Sequence, residues 1–401
     1  MEEIKEAEVN MEMEATNSRN ISGYALYRLP YAQECCIVAQ TKGKPEPLFS
    51  TSALGGRSGF VVAPFKPDMR HPVLLLQPDV TMTASPDDLL VSDGSPLAEL
   101  LERLAENTFD RPSDEPVRDN DKRHYDIDFA NFHSHILEGE FTKIVLARCS
   151  REERPDAITP IQLFVKACEL YPRMFVALVS TKVSGTWLMA TPEVLLQGDG
   201  KRWMTMSLVG TMNLTGKLLD FDNPPSPGKP VDDSEIGWSI KNIQEQRFVS
   251  TYITECLEQY ASDIVEKGPF TMRAGDLVHL RSDFEFSLPD DNCIGDLINT
   301  LYPTPAVCGL PKESSLDFIV ANEFAPRLYY SGFVGPLGMD GHTHLYVSLR
   351  CMRVDSDGCS LYAGGGLLAD SNMDAEWMET EFKMDTMRKL LKTQENMCVN
   401  S

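Results

Sequence analysis

The sequence lacks the features that mark several large classes of protein. Its 401 residues contain no run of eighteen apolar residues, so no transmembrane helix is predicted. No GxGxxG segment follows a strand pattern and no GxxxxGK(S/T) segment occurs, which argues against both common nucleotide-binding loops. The ten cysteines form no CxxC pair, and that spacing favours scattered, reduced thiols over a disulfide scaffold.

Positive charge is in short supply. The chain has 37 lysines and arginines against 60 aspartates and glutamates, which gives a net charge of −23. A field of this sign repels nucleic-acid backbones and anionic membranes, so neither is predicted as a partner. It also repels an anionic substrate. Any site for an anion must therefore gather lysine, arginine or a metal ion locally.

The start of the chain differs from the rest in composition. Residues 1–20 are acidic and have no apolar segment of the kind found in a secretory signal. They predict a disordered leader, followed by a single domain over residues 21–395 and a tail over residues 396–401. This organisation predicts a cytoplasmic protein, which we expect to be a monomer with no obligate partner.

Strand and helix patterns follow one another irregularly. Short, apolar, β-branched runs predict strands over Lys143–Cys149, Met174–Ser180, Trp187–Ala190, Val194–Gln197, Trp203–Ser207, Leu328–Val334, Thr343–Val354 and Leu361–Leu368. Amphipathic patterns predict helices over Ile127–Gly139, Pro160–Leu170, Asp233–Ser262 and Asp374–Lys392. Because several strand patterns are direct neighbours, an α+β fold with antiparallel sheets is favoured over a doubly wound parallel sheet.

The predicted C-terminal helix carries two carboxylates and a lysine on one face. Glu376, Glu379 and Lys383 are spaced i, i+3 and i+7. Two carboxylates one turn apart suit a hard divalent cation, and a lysine one turn further on suits an anion bound to that cation. A solvated helix face with a Glu–Lys pair fits the same spacing.

Three more charged residues stand beside or within apolar patterns. Lys143 begins an apolar strand, where partial removal from water would favour a neutral amine that can act as a base. Glu193 precedes an apolar run, where a raised carboxyl pKa would suit a general acid. Arg350 interrupts a strand pattern and is suited to hold a carboxylate. A strand-end lysine, an edge-strand glutamate and an interstrand ion pair are the plain alternatives.

Taken in chain order, these segments resemble the chorismate-binding family, which includes isochorismate, salicylate, anthranilate and aminodeoxychorismate synthases. The similarity runs from about residue 141 to residue 390. It rests on ten ordered segments: KIVLAR, ATPEVLL, LVGT, IKNIQEQ, LVHL, YPTPAVCGLP, YYSGFVG, SLRCMRV, YAGGGLL and EWMETEFK. Their shared order carries the resemblance more than any one of them.

The resemblance implies a four-layer α/β/β/α architecture with two large, orthogonally packed antiparallel sheets, a chorismate substrate and Mg²⁺ as the cofactor. It implies that Lys143 activates water and that Glu193 is the general acid. It implies that Glu245 and Glu379 hold Mg²⁺, with Glu376 assisting. The implied substrate contacts are Gly210, Thr211, His279, Ala306, Tyr330, Arg350, Gly364, Gly366 and Lys383.

Within the family, the segment 303–306 (PTPA) resembles the isochorismate synthases of menaquinone and siderophore pathways. Lys143 argues against an anthranilate synthase, which keeps no lysine at that position. The segment 309–312 (GLPK) is shared with salicylate synthases, the main alternative. Aminodeoxychorismate synthase and a non-catalytic binding protein of the same fold are further alternatives.

Some positions depart from the family pattern. The magnesium helix of the family often reads Lys-Asp and then Glu-His, whereas this chain has Lys241-Asn242 and Glu245-Gln246. The arginine that usually follows Gly210-Thr211 is missing. None of these changes removes a proposed catalytic group. The resemblance implies that they alter affinity or loop behaviour instead.

Overall fold

The computed structural model describes residues 20–155, 158–213, 237–274 and 277–392. Most of the predicted leader and all of the predicted tail lie outside these ranges, so the predicted domain boundaries stay predictions. No helix within the described ranges combines the length and the apolar character needed to cross a membrane.

Eighteen strands form two nine-stranded sheets in the described part of the chain. In chain order they are β1 (Gly23–Arg28), β2 (Cys35–Gln40), β3 (Glu46–Leu48), β4 (Gly59–Ala63), β5 (Val73–Leu76), β6 (Val80–Ala84), β7 (Lys143–Glu152), β8 (Phe175–Thr181), β9 (Gly185–Thr191), β10 (Val194–Gly198), β11 (Trp203–Asn213), β12 (Ser262–Ala274), β13 (Leu277–Ser287), β14 (Gly309–Leu310), β15 (Phe333–Leu337), β16 (Thr343–Val347), β17 (Cys351–Asp355) and β18 (Gly358–Leu367).

Both sheets are antiparallel and both mix strands from distant parts of the chain. The first sheet has the order β14-β7-β18-β17-β9-β8-β1-β2-β6, and the second has the order β12-β13-β11-β10-β16-β15-β4-β5-β3. In the first, β18 pairs with β7 along nine residue pairs, from Cys359 opposite Glu152 to Leu367 opposite Ile144. In the second, β11 pairs with β13. These two strand pairs carry much of the site described below.

Seven α-helices flank the sheets in the described ranges. They are α1 (Pro96–Glu106), α2 (Lys122–Leu137), α3 (Pro160–Leu170), α4 (Ile240–Leu257), α5 (Cys293–Leu301), α6 (Lys312–Asn322) and α7 (Met373–Leu391). Side-chain caps define the starts of the helices that matter for the site: Ser239 accepts from the Asn242 N–H at α4, and Asn372 accepts from the Asp374 N–H at α7.

Three hydrophobic layers hold the helices and sheets together. Apolar residues of α1, α3 and α7 pack on the outer face of the first sheet. Residues of α4 and α5 pack on the second sheet. Between the sheets lies a core rich in aromatic rings, in which Phe175 stacks on Tyr346 with ring centroids 4.3 Å apart. The predicted α+β fold with two large antiparallel sheets is therefore confirmed, with helices on both outer faces.

Most predicted elements are present, but several differ in extent. The helix predicted over Ile127–Gly139 spans Lys122–Leu137, and the strand predicted over Trp203–Ser207 continues to Asn213. The predicted strand Thr343–Val354 is two strands in different sheets, because Arg350 has a φ of 46° and ends the extended run. The predicted strand Leu328–Val334 begins only at Phe333, since Leu328 and Ser331 also have positive φ. The helix predicted from residue 233 begins at Ile240, after its Ser239 cap.

Candidate active site

Two short connections carry the chain from one sheet to the other, side by side. The link from β9 to β10 holds Glu193, and the link from β16 to β17 holds Arg350. The Val347 N–H donates to the Glu193 carbonyl at 2.9 Å, and the Ala190 N–H donates to the Arg350 carbonyl at 3.1 Å. The two backbones are thus tied together, and both side chains line one cavity.

This cavity gathers most of the residues implied by the resemblance. Its walls include Glu193, Gly210, Glu245, His279, Ala306, Tyr330, Arg350, Gly364, Gly366, Glu379 and Lys383. The open volume is about 70 Å³. Ordinary small-molecule sites have roughly 300–1,000 Å³. Ion pairs draw the charged side chains together, so binding a ring-sized ligand requires some of these pairs to open.

Two implied residues with described side chains are not part of the cavity wall. Lys143 is fully buried behind Glu245, and Glu376 is 3% exposed and lies outside the wall. The backbone of Thr211 belongs to β11, but its side chain lies outside the described part of the structure. The role predicted for Thr211 therefore stays a prediction.

Each carboxylate implied in magnesium binding is paired with a lysine. The Lys143 Nζ lies 2.7 Å from Glu245 Oε1, and the Lys383 Nζ lies 2.7 Å from Glu379 Oε1. Lys383 also donates to the Gly364 carbonyl at 2.8 Å. The third carboxylate, on Glu376, contacts an ammonium group from α4. The pairs are Lys143–Glu245, Lys383–Glu379 and Lys241–Glu376.

The three carboxylates are chemically suited to bind a divalent cation, although in this structure each forms an ion pair with a lysine. Glu376 Oε2 is buried and has no hydrogen-bond partner in the described part of the chain. A Cβ on Gly365 would lie 3.2 Å from this atom and 3.9 Å from Glu379 Oε1, so the bare glycine backbone leaves room beside both carboxylates. Carboxylate oxygens are the ligands that Mg²⁺ prefers.

The three implied ligands are not drawn into a tight cluster. Among the described residues, the one group of three metal-binding side chains with ligand atoms within 4.8 Å is His135, Glu138 and Glu140, at the end of α2. These three side chains are partly or fully exposed. Glu245, Glu376 and Glu379 would therefore have to leave their lysines before they could share one ion.

Burial determines the protonation of Glu193. The side chain is 2% exposed, and burial raises its pKa to about 8, although Lys143, Lys383 and Arg350 oppose that rise. Glu193 is consequently protonated at neutral pH and has a proton to donate. The raised pKa predicted from the apolar run after this residue agrees with its buried position.

His279 and Arg350 form a fixed pair in the cavity wall. Burial, followed by the charges of Arg350 and Lys383, lowers the pKa of His279 to about 3, so its ring is neutral. Its Nδ1 donates to the Gly210 carbonyl at 2.8 Å, and its Nε2 accepts from Arg350 Nη2 at 2.8 Å. Arg350 Nη1 is buried and has no hydrogen-bond partner among the described residues. It remains available to a ligand carboxylate.

Similarity to known proteins matches this geometry. A family model described as "Chorismate binding enzyme" matches residues 80–392. The chain belongs to this family. Related chorismate-binding enzymes include isochorismate synthase DhbC of Bacillus subtilis (strain 168), 28% identical over 268 residues, which are 64% of each chain. Isochorismate synthase EntC of Escherichia coli (strain K12) is 29% identical over 205 residues, 51% of this chain and 50% of EntC.

Solved structures of other chorismate-binding enzymes share the fold. Isochorismate synthase DhbC from Bacillus anthracis gives a TM-score of 0.70 at 20% identity, covering 95% of this chain and 99% of that one. MenF from Escherichia coli gives 0.69 at 21% identity, covering 95% of this chain and 91% of MenF. By contrast, the sequence matches span only half to two thirds of the relatives' lengths.

The structure adds two residues to which sequence reasoning gave no role in the site. Tyr362 stacks on Tyr330 in the cavity wall, with ring centroids 5.6 Å apart and planes inclined by 18°. Lys241 contacts Glu376. Both stand in segments that carry the similarity to chorismate-binding enzymes, YAGGGLL and IKNIQEQ. Their position in those segments was the sequence signal that could have pointed to them. That position does not predict which groups either side chain contacts.

Proposed function

We propose that the chain is an isochorismate synthase that converts chorismate into isochorismate with Mg²⁺ as its cofactor. One observation carries the proposal: the cavity that contains Glu193, a carboxyl with a pKa of about 8, also contains Glu245, whose carboxylate contacts the buried Lys143 amine. A proton donor thus lies in the same site as an amine that would act as a base once its ion pair with Glu245 opens. Relatives named as isochorismate synthases support the choice within the family.

The cavity offers separate holds for the two carboxylates of chorismate. Arg350 Nη1, a buried donor without a partner, and Tyr330 would hold the enolpyruvyl carboxylate. Lys383 and the backbone of Gly364 and Gly366 would hold the ring carboxylate. Glu245, Glu376 and Glu379 would hold Mg²⁺. When bound, the ion would neutralise the ring carboxylate and draw charge toward it.

The proposed reaction moves a hydroxyl group from one ring carbon to another. Lys143, as a neutral amine, takes a proton from water while the water oxygen forms a bond to C2 of chorismate. The ring double bonds shift and the C4–oxygen bond breaks. Glu193 supplies the proton that leaves with the C4 hydroxyl as water. The product is an isomer of the substrate, and Lys143 returns its proton while Glu193 regains one.

A product assay tests the proposal. Purified protein is incubated with chorismate and MgCl₂, and the products are separated by chromatography. Isochorismate as the sole product supports the proposal. Salicylate together with pyruvate would assign the sister activity instead, and binding of chorismate without any turnover would assign a non-catalytic role.

Two substitutions test the assigned roles. Lys143→Ala and Glu193→Gln should each lower turnover by about 10²–10⁴-fold, the usual contribution of a positioned acid or base. Chorismate should still bind to both variants when Mg²⁺ is present. Full activity in either variant would refute the role given to that residue.

Salicylate synthase is the second candidate because of one local feature. The segment 309–312, which resembles salicylate synthases, includes β14, and β14 pairs with β7 at Ile144 and Lys143. The resemblance thus lies next to the proposed base. The same product assay separates the two activities.

A further inference from the structure

The Lys241 ammonium contacts one of the three carboxylates assigned to the divalent cation. Its Nζ contacts Glu376 Oε1. Burial opposes its charge, yet Glu376, and then the charges of Glu245 and Glu379, raise the pKa of Lys241 above its ordinary value. Lys241 is therefore paired directly with Glu376 and is attracted by the charges of the other two acids.

This contact joins two helices from opposite outer layers. Lys241 lies on α4, one turn before Glu245, and α4 packs on the second sheet. Glu376 lies in the first turn of α7, which packs on the first sheet. A cation shared by Glu245 and Glu376 would also have to join these two helices. The ammonium group and the proposed ion thus compete for one location.

We propose that Lys241 is a built-in counter-ion of the carboxylate site, which a divalent cation must displace in order to bind. The inference rests on the proposed function in one respect, the assignment of Glu245, Glu376 and Glu379 to the cation. Without a metal ion, the ammonium neutralises a carboxylate that would otherwise be buried and unpaired. With a metal ion, two positive charges a few ångströms apart repel each other strongly. Lys241 therefore sets the cation concentration at which the site fills.

The test measures Mn²⁺ binding to the full chain by titration calorimetry, without substrate. Lys241→Met keeps the length of the side chain and removes its charge. Its dissociation constant for Mn²⁺ should fall by about 5–150-fold, the range typical of coupling between two binding events. Unchanged or weaker binding by this variant overturns the proposal.

Lys122→Met is the matched control. Lys122 is also paired with acids, since it contacts Asp126 and lies 3.0 Å from Asp374, two residues before Glu376. Removing its charge alters the field around α7 without removing the proposed competitor. Its Mn²⁺ affinity should stay within about twofold of the wild type, well below typical coupling. An equal gain in both variants would show a general charge effect and would overturn the proposal.

A measurement on the wild-type chain keeps the proposal testable if Lys241→Met does not fold. Lysines are acetylated briefly with and without Mn²⁺, and the modified sites are read by mass spectrometry. Displacement by the cation should increase acetylation of Lys241 and leave that of Lys122 unchanged. Bound Mn²⁺ with no increase at Lys241 overturns the proposal. Turnover of chorismate is measured separately, so a chain that makes isochorismate but fails these tests refutes this inference alone.

Discussion

At the scale of single residues, burial shifts the pKa values of two groups in the cavity wall in opposite directions. It raises the pKa of Glu193 to about 8 and lowers the pKa of His279 to about 3. In both cases the uncharged form is favoured, because a buried charge loses its hydration. At neutral pH the cavity therefore offers a proton donor together with a neutral imidazole, whose tautomer is determined by Gly210 and Arg350.

Turnover should depend on pH through Glu193. Because the protonated carboxyl is the proton donor in the proposed reaction, kcat should fall as the pH rises through about 8. Glu193→Gln should be slower by about 10²–10⁴-fold and should lack this alkaline limb. The measurement is kcat for isochorismate formation between pH 6 and pH 10. An alkaline limb that persists unchanged in Glu193→Gln would assign it to another group.

The same group should also affect folding. The folded pKa of Glu193 is about 8, against an ordinary value of 4.5. Between these pH values the folded chain binds more protons than the unfolded chain, so the free energy of unfolding should decrease as the pH rises through that window. In Glu193→Gln the free energy of unfolding should decrease less over the same pH range. Urea unfolding at pH 5 and pH 8 compares the two proteins, and equal slopes would contradict the burial argument.

At the scale of elements, the glycine run of β18 lets acids approach from both faces of the strand. A Cβ on Gly366 would lie 2.2 Å from Glu245 Oε1 and 2.8 Å from Lys143 Cε. A Cβ on Gly365, on the other face, would instead lie 3.2 Å from Glu376 Oε2. The bare backbone of this strand therefore leaves room for Glu245 beside Gly366 and for Glu376 beside Gly365.

Gly366→Ala should disrupt the site. The added methyl group must push Glu245 away from Lys143, and displacements of about 1 Å at a catalytic group cost roughly 10²-fold in rate. Turnover of chorismate and thermal unfolding are measured together, to separate lost function from lost folding. Gly237→Ala is the control, since a Cβ there meets no atom of the described residues within 4 Å. Turnover by Gly366→Ala equal to that of this control would contradict the close approach.

Another element-scale feature ties β7 to the loop that carries Ala306. Arg327 donates to the Val307 carbonyl at 2.5 Å and to the Val145 carbonyl at 2.8 Å, and it is paired with Glu323. Glu323 in turn accepts from the Ala147 N–H at 2.9 Å. Both side chains are almost fully buried. The Arg327–Glu323 ion pair thus holds β7, the strand that carries the proposed base, against the loop that carries Ala306.

Arg327→Met should destabilise the fold strongly. Removing one partner of a buried pair costs about 3–5 kcal/mol, because the other charge is left uncompensated. Arg327→Met combined with Glu323→Gln should lose less than Arg327→Met alone. Urea unfolding of the single and double variants gives the free energies. A double variant that loses the sum of both single losses would show that the two side chains act independently.

At the scale of the whole molecule, the net charge of −23 opposes an anionic substrate. The cavity counters it locally with Arg350 and Lys383. Added salt screens the distant acidic residues first, since the Debye length falls from about 30 Å at 0.01 M to about 8 Å at 0.15 M. Groups that touch the ligand are screened less.

The rate of chorismate capture should therefore rise with moderate salt. We expect kcat/KM for chorismate to increase as KCl is raised from 0.01 to 0.15 M at saturating MgCl₂. The same increase with NaCl would separate screening from a specific effect of potassium. A fall in kcat/KM over this range would show that the local positive groups, and not the overall charge, dominate the field met by the substrate.

The sequence was sufficient for the local elements and for the list of candidate residues. Periodicity and caps act within a few residues, which is why Pro160–Leu170 was predicted with its observed bounds and the last helix to within one residue at each end. Positive φ values at Leu328, Ser331 and Arg350 have no comparable local signal in residues other than glycine, and there the predicted strands were wrong.

By itself, the sequence determined which side chains are available and which short segments carry them, since both depend on chain neighbours. Tertiary structure alone decided that the two crossings between the sheets place Glu193 and Arg350 in one cavity, that Lys143 lies behind Glu245, and that Lys241 contacts Glu376. These contacts join residues far apart in the chain. Their positions depend on which sheet each strand enters, and no periodicity within a single segment encodes that choice.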